Sequence, residues 1–354
     1  MRPSPRTPHV PPPSDRMPSM RRRAGVALML LALPLRVGLG ASARVSVAEL
    51  SPQAETAIDK GLRFLAKAQN PDGSWGARYP AAMTGLSMMA FMLKGYFPER
   101  GQHAKTMDRA LAWLLKRGKE GGGYFGGTNQ GMYEHALATL ALSEVWGMTN
   151  KEEVRDILKR AVNIILRAQN SEGGWRYQPQ PIDADVSVTV MQIVALASAA
   201  EAGILVPAPV IKRATDYVKK CQNPLTGGFG YQPGGRDPSL SSSAAGLLSL
   251  LMCGERESKE AKRGIQYLAR LPKEEFEKTK FYHYGHYYAV QAMYQAGEDY
   301  YQDWYPKIHN ALLKKQRDDG SWLGDGGESD PIYGTAMSIL ILGVPYRFLP
   351  IYQR

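Results

Sequence analysis

The chain has 354 residues, 44% apolar and 22% charged, enough for one large or two ordinary globular domains. Its formal net charge is +11, but residues 1–43 alone carry seven arginines against one aspartate. The remainder is an ordinary solvated surface, which argues against nucleic acid as a partner.

The first 43 residues read as an export signal. Residues 1–19 are a proline-rich preface, so Met1, Met17 or Met20 can serve as the start. Arg21, Arg22 and Arg23 form a positive region, Ala24 to Leu35 a short apolar run, and Ala41, Ser42 and Ala43 a small-residue cleavage site. The run is too short for a permanent membrane anchor. The expectation is an exported chain, periplasmic or extracellular, cut near Ala43 and left with no stable membrane span. Residues 44–56 are a short lead-in.

From residue 57 the chain repeats itself. A helical run ends in glutamine, then comes a glycine turn, then an aromatic residue. This happens at Gln69, Gln169, Gln222 and Gln316, followed by Trp75, Trp175, Phe229 and Trp322. Two of the gaps are about double the third, so two weaker copies belong between them. Residues 107–127 keep the helix and the glycines, and residues 260–276 keep only the helix. Six units of roughly 50 residues result.

Each unit predicts two helices. In the first helix of the first unit, Ile58, Leu62 and Leu65 share one face, with Lys60, Arg63 and Lys67 on the other. The second helices, over 83–93, 186–200, 240–253 and 333–344, carry no charge and must be covered all round. One arrangement satisfies both patterns: an inner ring of apolar helices inside an outer ring of amphipathic ones. The expected fold is therefore all-α, a single (α/α)6 toroid over 57–349. The glutamine is expected to tie helix ends together, and the tryptophan to cover the joint. Cys221 and Cys253 fall at opposite ends of a helix pair and are expected to be free thiols.

The glutamine–turn–tryptophan phrase resembles the QW repeat of squalene–hopene cyclases and related triterpene cyclases. The toroid it implies is also that of the β subunit of protein prenyltransferases. The resemblance covers about 57–345. The stretch from Tyr282 to Trp304 is also similar to the fifth repeat of exported toroid proteins labelled as prenyltransferase/squalene oxidase repeat proteins. The cyclase signature is Asp-x-Asp-Asp-Thr at the start of an inner helix, its middle aspartate protonating the substrate. Here Asp183, Asp185 and Thr189 follow the turn at Gly173, Gly174 and Trp175, but Ser187 and Val188 stand where the second and third aspartates belong. A serine is too weak an acid for that step. Helix capping is the competing role for Asp183 and Asp185. The prenyltransferase signature resembles Asp330 to Thr335, with Gly334 in place of the zinc-ligating histidine. The expectation is no metal and no other cofactor.

The starts of the inner helices converge at one mouth of a toroid. They offer Thr84, then Tyr133, Glu134 and His135, then Asp183, Asp185, Ser187 and Thr189, then Ser241, Ser242 and Ser243. The fifth unit adds His283, Tyr284, His286, Tyr287 and Tyr288, and the sixth Asp330, Tyr333 and Thr335. From these, Asp183 and Asp185 are candidate acids, and Glu134, His135, His283, His286, Tyr288 and Tyr333 candidate ligand-binding residues. The leading expectation is a binding or scaffold module presenting its mouth to an isoprenoid, lipid or peptide-like ligand. A terpenoid cyclase or other isoprenoid-acting enzyme using Asp183 or Asp185 is the alternative. A glycan hydrolase drawing a carboxylate pair from Glu134, Asp183, Asp185, Asp325, Glu328 and Asp330 is a third.

Overall fold

The computed structural model describes residues 50–346, apart from 128, 150 and 325–329. The expected export signal and the carboxylates Asp325 and Glu328 lie outside the described residues. The helices come in pairs. They are α1 (Pro52–Ala68) and α2 (Pro80–Leu93), α3 (Ala104–Glu120) and α4 (Gly131–Thr149), α5 (Glu152–Ala168) and α6 (Val186–Glu201), then α7 (Ala208–Lys220) and α8 (Leu240–Met252). The fifth pair, α9 (Lys259–Ala269) and α11 (Tyr282–Ala296), has the short α10 (Lys273–Lys278) between its members. The sixth is α12 (Glu298–Lys315) and α13 (Pro331–Leu342).

The second helices form a closed inner ring. α2 packs on α4, α4 on α6, α6 on α8, α8 on α11 and α11 on α13, and α13 returns to α2. The fold is an all-α α/α toroid, with α1, α3, α5, α7, α9 and α12 outside. Composition accounts for the layering. On α2 every residue from Ala81 to Leu93 is buried, as expected of a helix without a charge. On α1, Ile58, Leu62 and Leu65 are buried while Lys60, Arg63 and Lys67 are exposed. Each such leucine or isoleucine contributes about 1.5–3 kcal/mol on burial.

The joints between units explain the repeated phrase. The Gln69 amide donates to Gly73 O at 2.8 Å in its own turn and to Thr106 O at 2.9 Å in α3 of the next unit. Gln169 does the same to Gly173 O and Val210 O, and Gln222 to Gly227 O and Glu260 O. Gln316 donates to Gly320 O at 3.0 Å and to Ala57 O at 2.9 Å, so the last unit is tied to the first. The indole N–H of each tryptophan returns to its own outer helix: Trp75 to Leu65 O, Trp175 to Ile165 O and Trp322 to Leu312 O, at 2.7–2.8 Å. Gly73 takes φ 98°, and a Cβ there would stand 2.5 Å from Arg109 O, so only glycine lets the turn lie against the next outer helix.

One side chain from each inner helix completes the joint. The backbone N–H of Trp75, Trp175 and Trp322 donates to the hydroxyl of Thr84, Thr189 and Thr335, and that of Phe229 to Ser243. All four hydroxyl residues are fully buried, so they serve the joint rather than the rim on which the sequence placed them. Cys221 is buried, Cys253 half-buried, and both are free thiols.

Replacing Gln316 with alanine leaves two carbonyls without their shared donor and loosens the seam between the sixth and first units. The expected loss is about 1–3 kcal/mol in urea denaturation, with helix content of the folded state unchanged.

Candidate functional site

The inner helices are covered along most of their length, and their accessible surface at the N-terminal ends is narrow. There Tyr133 of α4, Ser187 of α6, Tyr284 of α11 and Tyr333 of α13 are half-buried. These side chains meet across the ring. The Tyr133 hydroxyl lies 2.6 Å from Ser187 Oγ, and the Tyr284 hydroxyl donates to Ser187 O at 3.1 Å from an inner helix two places away. Tyr288 sits beneath them, buried, its ring 4.8 Å from that of Tyr284 and 5.0 Å from that of Tyr287. The mouth is thus a shallow bowl floored by tyrosines. Burial holds the phenols of Tyr133, Tyr284 and Tyr288 well above their usual pKa, so they remain neutral hydrogen-bonding groups.

Asp185 forms part of the wall. It is the N-cap of α6, fully buried, and its Oδ1 accepts from Val188 N at 2.9 Å and from Ser187 Oγ at 2.5 Å. Its Oδ2 faces Arg176 Nε at 3.4 Å. Desolvation raises the Asp185 pKa above the usual value, outweighing the Ser187 and Val188 donors and the Arg176 charge. Asp183, by contrast, is exposed. It does not cap α6; it pairs with Arg176 at 2.9 Å and accepts from Ala184 N. The two aspartates therefore hold one arginine between them.

The lip of the bowl holds groups that the sequence reading passed over. The Arg176 guanidinium lies 4.8 Å from the centre of the Tyr177 ring and 5.6 Å from that of Tyr231. The hydroxyls of Tyr177 and Tyr231 are hydrogen-bonded to each other. Backbone bonds fix these tyrosines in place: Tyr177 O accepts from Met132 N and Tyr231 O from Val186 N. The signal for them was visible. The phrase Tyr-Gln-Pro follows the turn in the third unit and again in the fourth.

The other candidate residues separate into two groups. His135 is fully buried away from the bowl. Its Nδ1 accepts from Phe125 N at 3.4 Å and its Nε2 lies 3.0 Å from Ala161 O, so it replaces the joint threonine in the second unit. Burial lowers its pKa to about 4, which keeps it neutral at physiological pH. His286 stands at the same position in the fifth unit, fully buried, with Nε2 2.9 Å from Phe276 O. Both histidines are joint residues. His283 is buried and bridges α11 to α13, its Nε2 3.1 Å from Ser338 Oγ; its ring faces that of Tyr333 at 6.2 Å. Glu134 is buried, accepts from Gly127 N at 3.1 Å, and borders a groove of about 610 Å³ shared with Arg78 and Trp113. Asp330 caps α13 through Ile332 N at 2.7 Å. At Gly334 a Cβ would stand 2.4 Å from Leu323 C and 2.5 Å from Trp322 O, so no histidine fits where the prenyltransferase signature has one.

Two substitutions test this geometry. A folded-state pKa raised above 3.8 makes Asp185 cost stability as pH rises through that pKa. Asparagine caps equally well without the charge. Asp185→Asn is therefore expected to gain stability relative to the parent between about pH 4 and pH 7, followed by thermal melts across that range. Gly334→Ala forces a side chain into the 322–324 backbone and is expected to cost more than about 2 kcal/mol in denaturant titration.

Comparison with known proteins places the chain among toroids of two related kinds. Residues 142–308 match the squalene-hopene cyclase C-terminal domain, and residues 40–132 match the prenyltransferase alpha-alpha toroid domain. Lanosterol synthase of Pneumocystis carinii is 23% identical over 135 residues, 36% of this chain and 19% of that protein. Lanosterol synthase erg7A of Aspergillus fumigatus is 22% identical over 128 residues, 34% of this chain and 17% of that protein. The matched stretch thus spans about a fifth of the length of these curated relatives. Among solved structures, an α-1,6-mannanase of Salegentibacter superposes with a TM-score of 0.60 at 8% identity, covering 82% of this chain and 98% of its own. The type II terpene cyclase MstE of Scytonema, in complex with geranylgeranyl dihydroxybenzoate, superposes with a TM-score of 0.58 at 15% identity, covering 84% and 98%. At these identities the two superpositions speak for the fold. The chain belongs to the squalene–hopene cyclase and prenyltransferase type of α/α toroid repeat proteins.

Proposed function

We propose that the protein is an exported binding module that takes an apolar or peptide-like ligand into the tyrosine bowl at the toroid mouth. The observation that carries this reading is the state of Asp185. A cyclase acid has to be a neutral carboxyl aimed at an alkene or epoxide. Asp185 instead spends one oxygen on the α6 cap and the Ser187 hydroxyl and turns the other to Arg176. The bowl itself offers phenol rings and hydroxyls, groups that suit the apolar faces and occasional polar ends of such a ligand.

An isoprenoid-acting enzyme is the second reading, supported by one feature. Asp185 is desolvated with a raised pKa and connects through Ser187 Oγ to the Tyr133 hydroxyl, as a proton donor would. A carboxylate-pair glycosidase has less to support it, since Glu134 and Asp330 accept backbone N–H groups and Asp183 is paired with Arg176.

Native mass spectrometry of the protein from its own host, with extraction of whatever accompanies it, decides between them. A bound lipid or peptide that is recovered unchanged, and whose retention falls about tenfold in Tyr284→Ala, is the expected result. Turnover of an isoprenoid that stops in Asp185→Asn would replace the binding reading with the enzymatic one.

A further inference from the structure

The mouth end carries a second pattern outside the bowl. Each outer helix places a lysine or arginine at the same repeat position, at or near its C-terminal end: Lys67, Lys116, Arg167, Lys220, Arg270 and Lys314. All six are exposed. Apart from Lys116, which faces Glu120 at 4.0 Å, none makes an ion pair among the described residues. At the same end, the loops leading to the inner helices expose large apolar side chains. Ile182 is 84% exposed, Leu225 89%, Leu323 52% and Phe281 45%, with Lys280 Nζ 5.3 Å from the Phe281 ring.

We propose that the mouth end docks on an anionic lipid surface, its apolar side chains entering the headgroup layer and its cation ring resting on the phosphates. This inference is independent of what the bowl binds. Helix dipoles alone would account for basic residues at helix C-termini, but they give no reason for four exposed apolar side chains on the same end. A soluble polyanion would likewise use the cations and leave the apolar groups idle. A bilayer surface uses both. The opposite end also exposes apolar side chains, Leu205 at 83% and Met148 at 46%, and differs from the mouth in its charge pairing. There Lys94 pairs with Asp59, Lys151 with Glu99 at 2.7 Å and Lys262 with Glu257 at 2.8 Å, so these three cations are neutralised locally. Acids also occur at the mouth: Asp183 pairs with Arg176, Glu274 and Glu277 pair with the lysines of α10, Asp319 accepts from Ser321, and Glu172, Asp237 and Asp318 are exposed.

The test is flotation of the full chain with phosphatidylcholine vesicles, with and without phosphatidylglycerol. Two variants accompany the parent, and both keep residues 1–49 unchanged. One converts Lys67, Arg167, Lys220, Arg270 and Lys314 to glutamine, and the other converts Ile182, Leu225, Phe281 and Leu323 to serine. The parent is expected to prefer the anionic vesicles by about tenfold or more, and each variant to lose most of that preference. Helicity by circular dichroism confirms folding. If a combined variant loses it, Lys220→Gln and Leu225→Ser singly are expected to weaken binding about threefold. A parent without lipid preference overturns the proposal, as do variants that float like the parent, which would assign binding to residues 1–49. Unchanged flotation and heparin retention in the apolar variant alone would overturn it in favour of a soluble polyanion.

Discussion

A single side-chain amide, used once per well-formed unit, sets the geometry of this molecule. The glutamine at the end of an outer helix has two N–H bonds to give. One closes its own turn, and the other reaches a carbonyl in the next outer helix. The turn carbonyl is a group that must be satisfied somewhere, and the carbonyl in the next outer helix, already in its own helical ladder, takes the amide as a second donor. Neighbouring units are thereby tied at four of the six joints, and the bond from Gln316 to Ala57 brings the chain back to its beginning. The indole bonds and the buried hydroxyls of Thr84, Thr189, Ser243 and Thr335 brace that joint from inside.

The joint also decides what the mouth can become. It spends the polar side chain one turn into each inner helix on the turn itself, so the histidines there are drawn inward. What remains accessible is the first turn of the inner helices and the loops before them. Units three and four use this space for the Tyr177–Tyr231 clasp around Arg176, which in turn holds Asp183 and Asp185. Asp183, Asp185 and Asp330 are thus committed to caps and ion pairs, and phenols form the floor of the bowl. The alternation of buried carboxylate, hydroxyl and phenol gives the bowl polarity without free charge.

The fold was legible because its signals are local and repeat. Glutamine, glycine and tryptophan recur at one spacing, and helices without charge have to be interior. The mouth was less legible because its contacts join different units. Nothing in the spacing of Ser187 and Tyr284, 97 residues apart, says that they touch. His135 and His286 looked like rim groups because they lie near helix starts, yet helical rotation turns the fifth residue inward to the joint. Asp185 showed the opposite problem. Its capping role follows from sequence, whereas its complete burial depends on Arg176 and the clasp above it. Tyr177 and Tyr231 were passed over although the same Tyr-Gln-Pro phrase precedes two inner helices.

The bond from Gln316 to Ala57 spans 259 residues of chain. In an open solenoid each unit finds its neighbour as soon as it is made. Here the first outer helix leaves the ribosome with one flank waiting for a partner that is synthesised last. At ordinary elongation rates that interval is about 15–50 s, during which the apolar edges of α1 and α2 have no cover from α12 and α13. Ring closure therefore gives the molecule a birth order problem. The seam is the place where a holding chaperone, or an export route that keeps the chain unfolded until it is complete, would matter most.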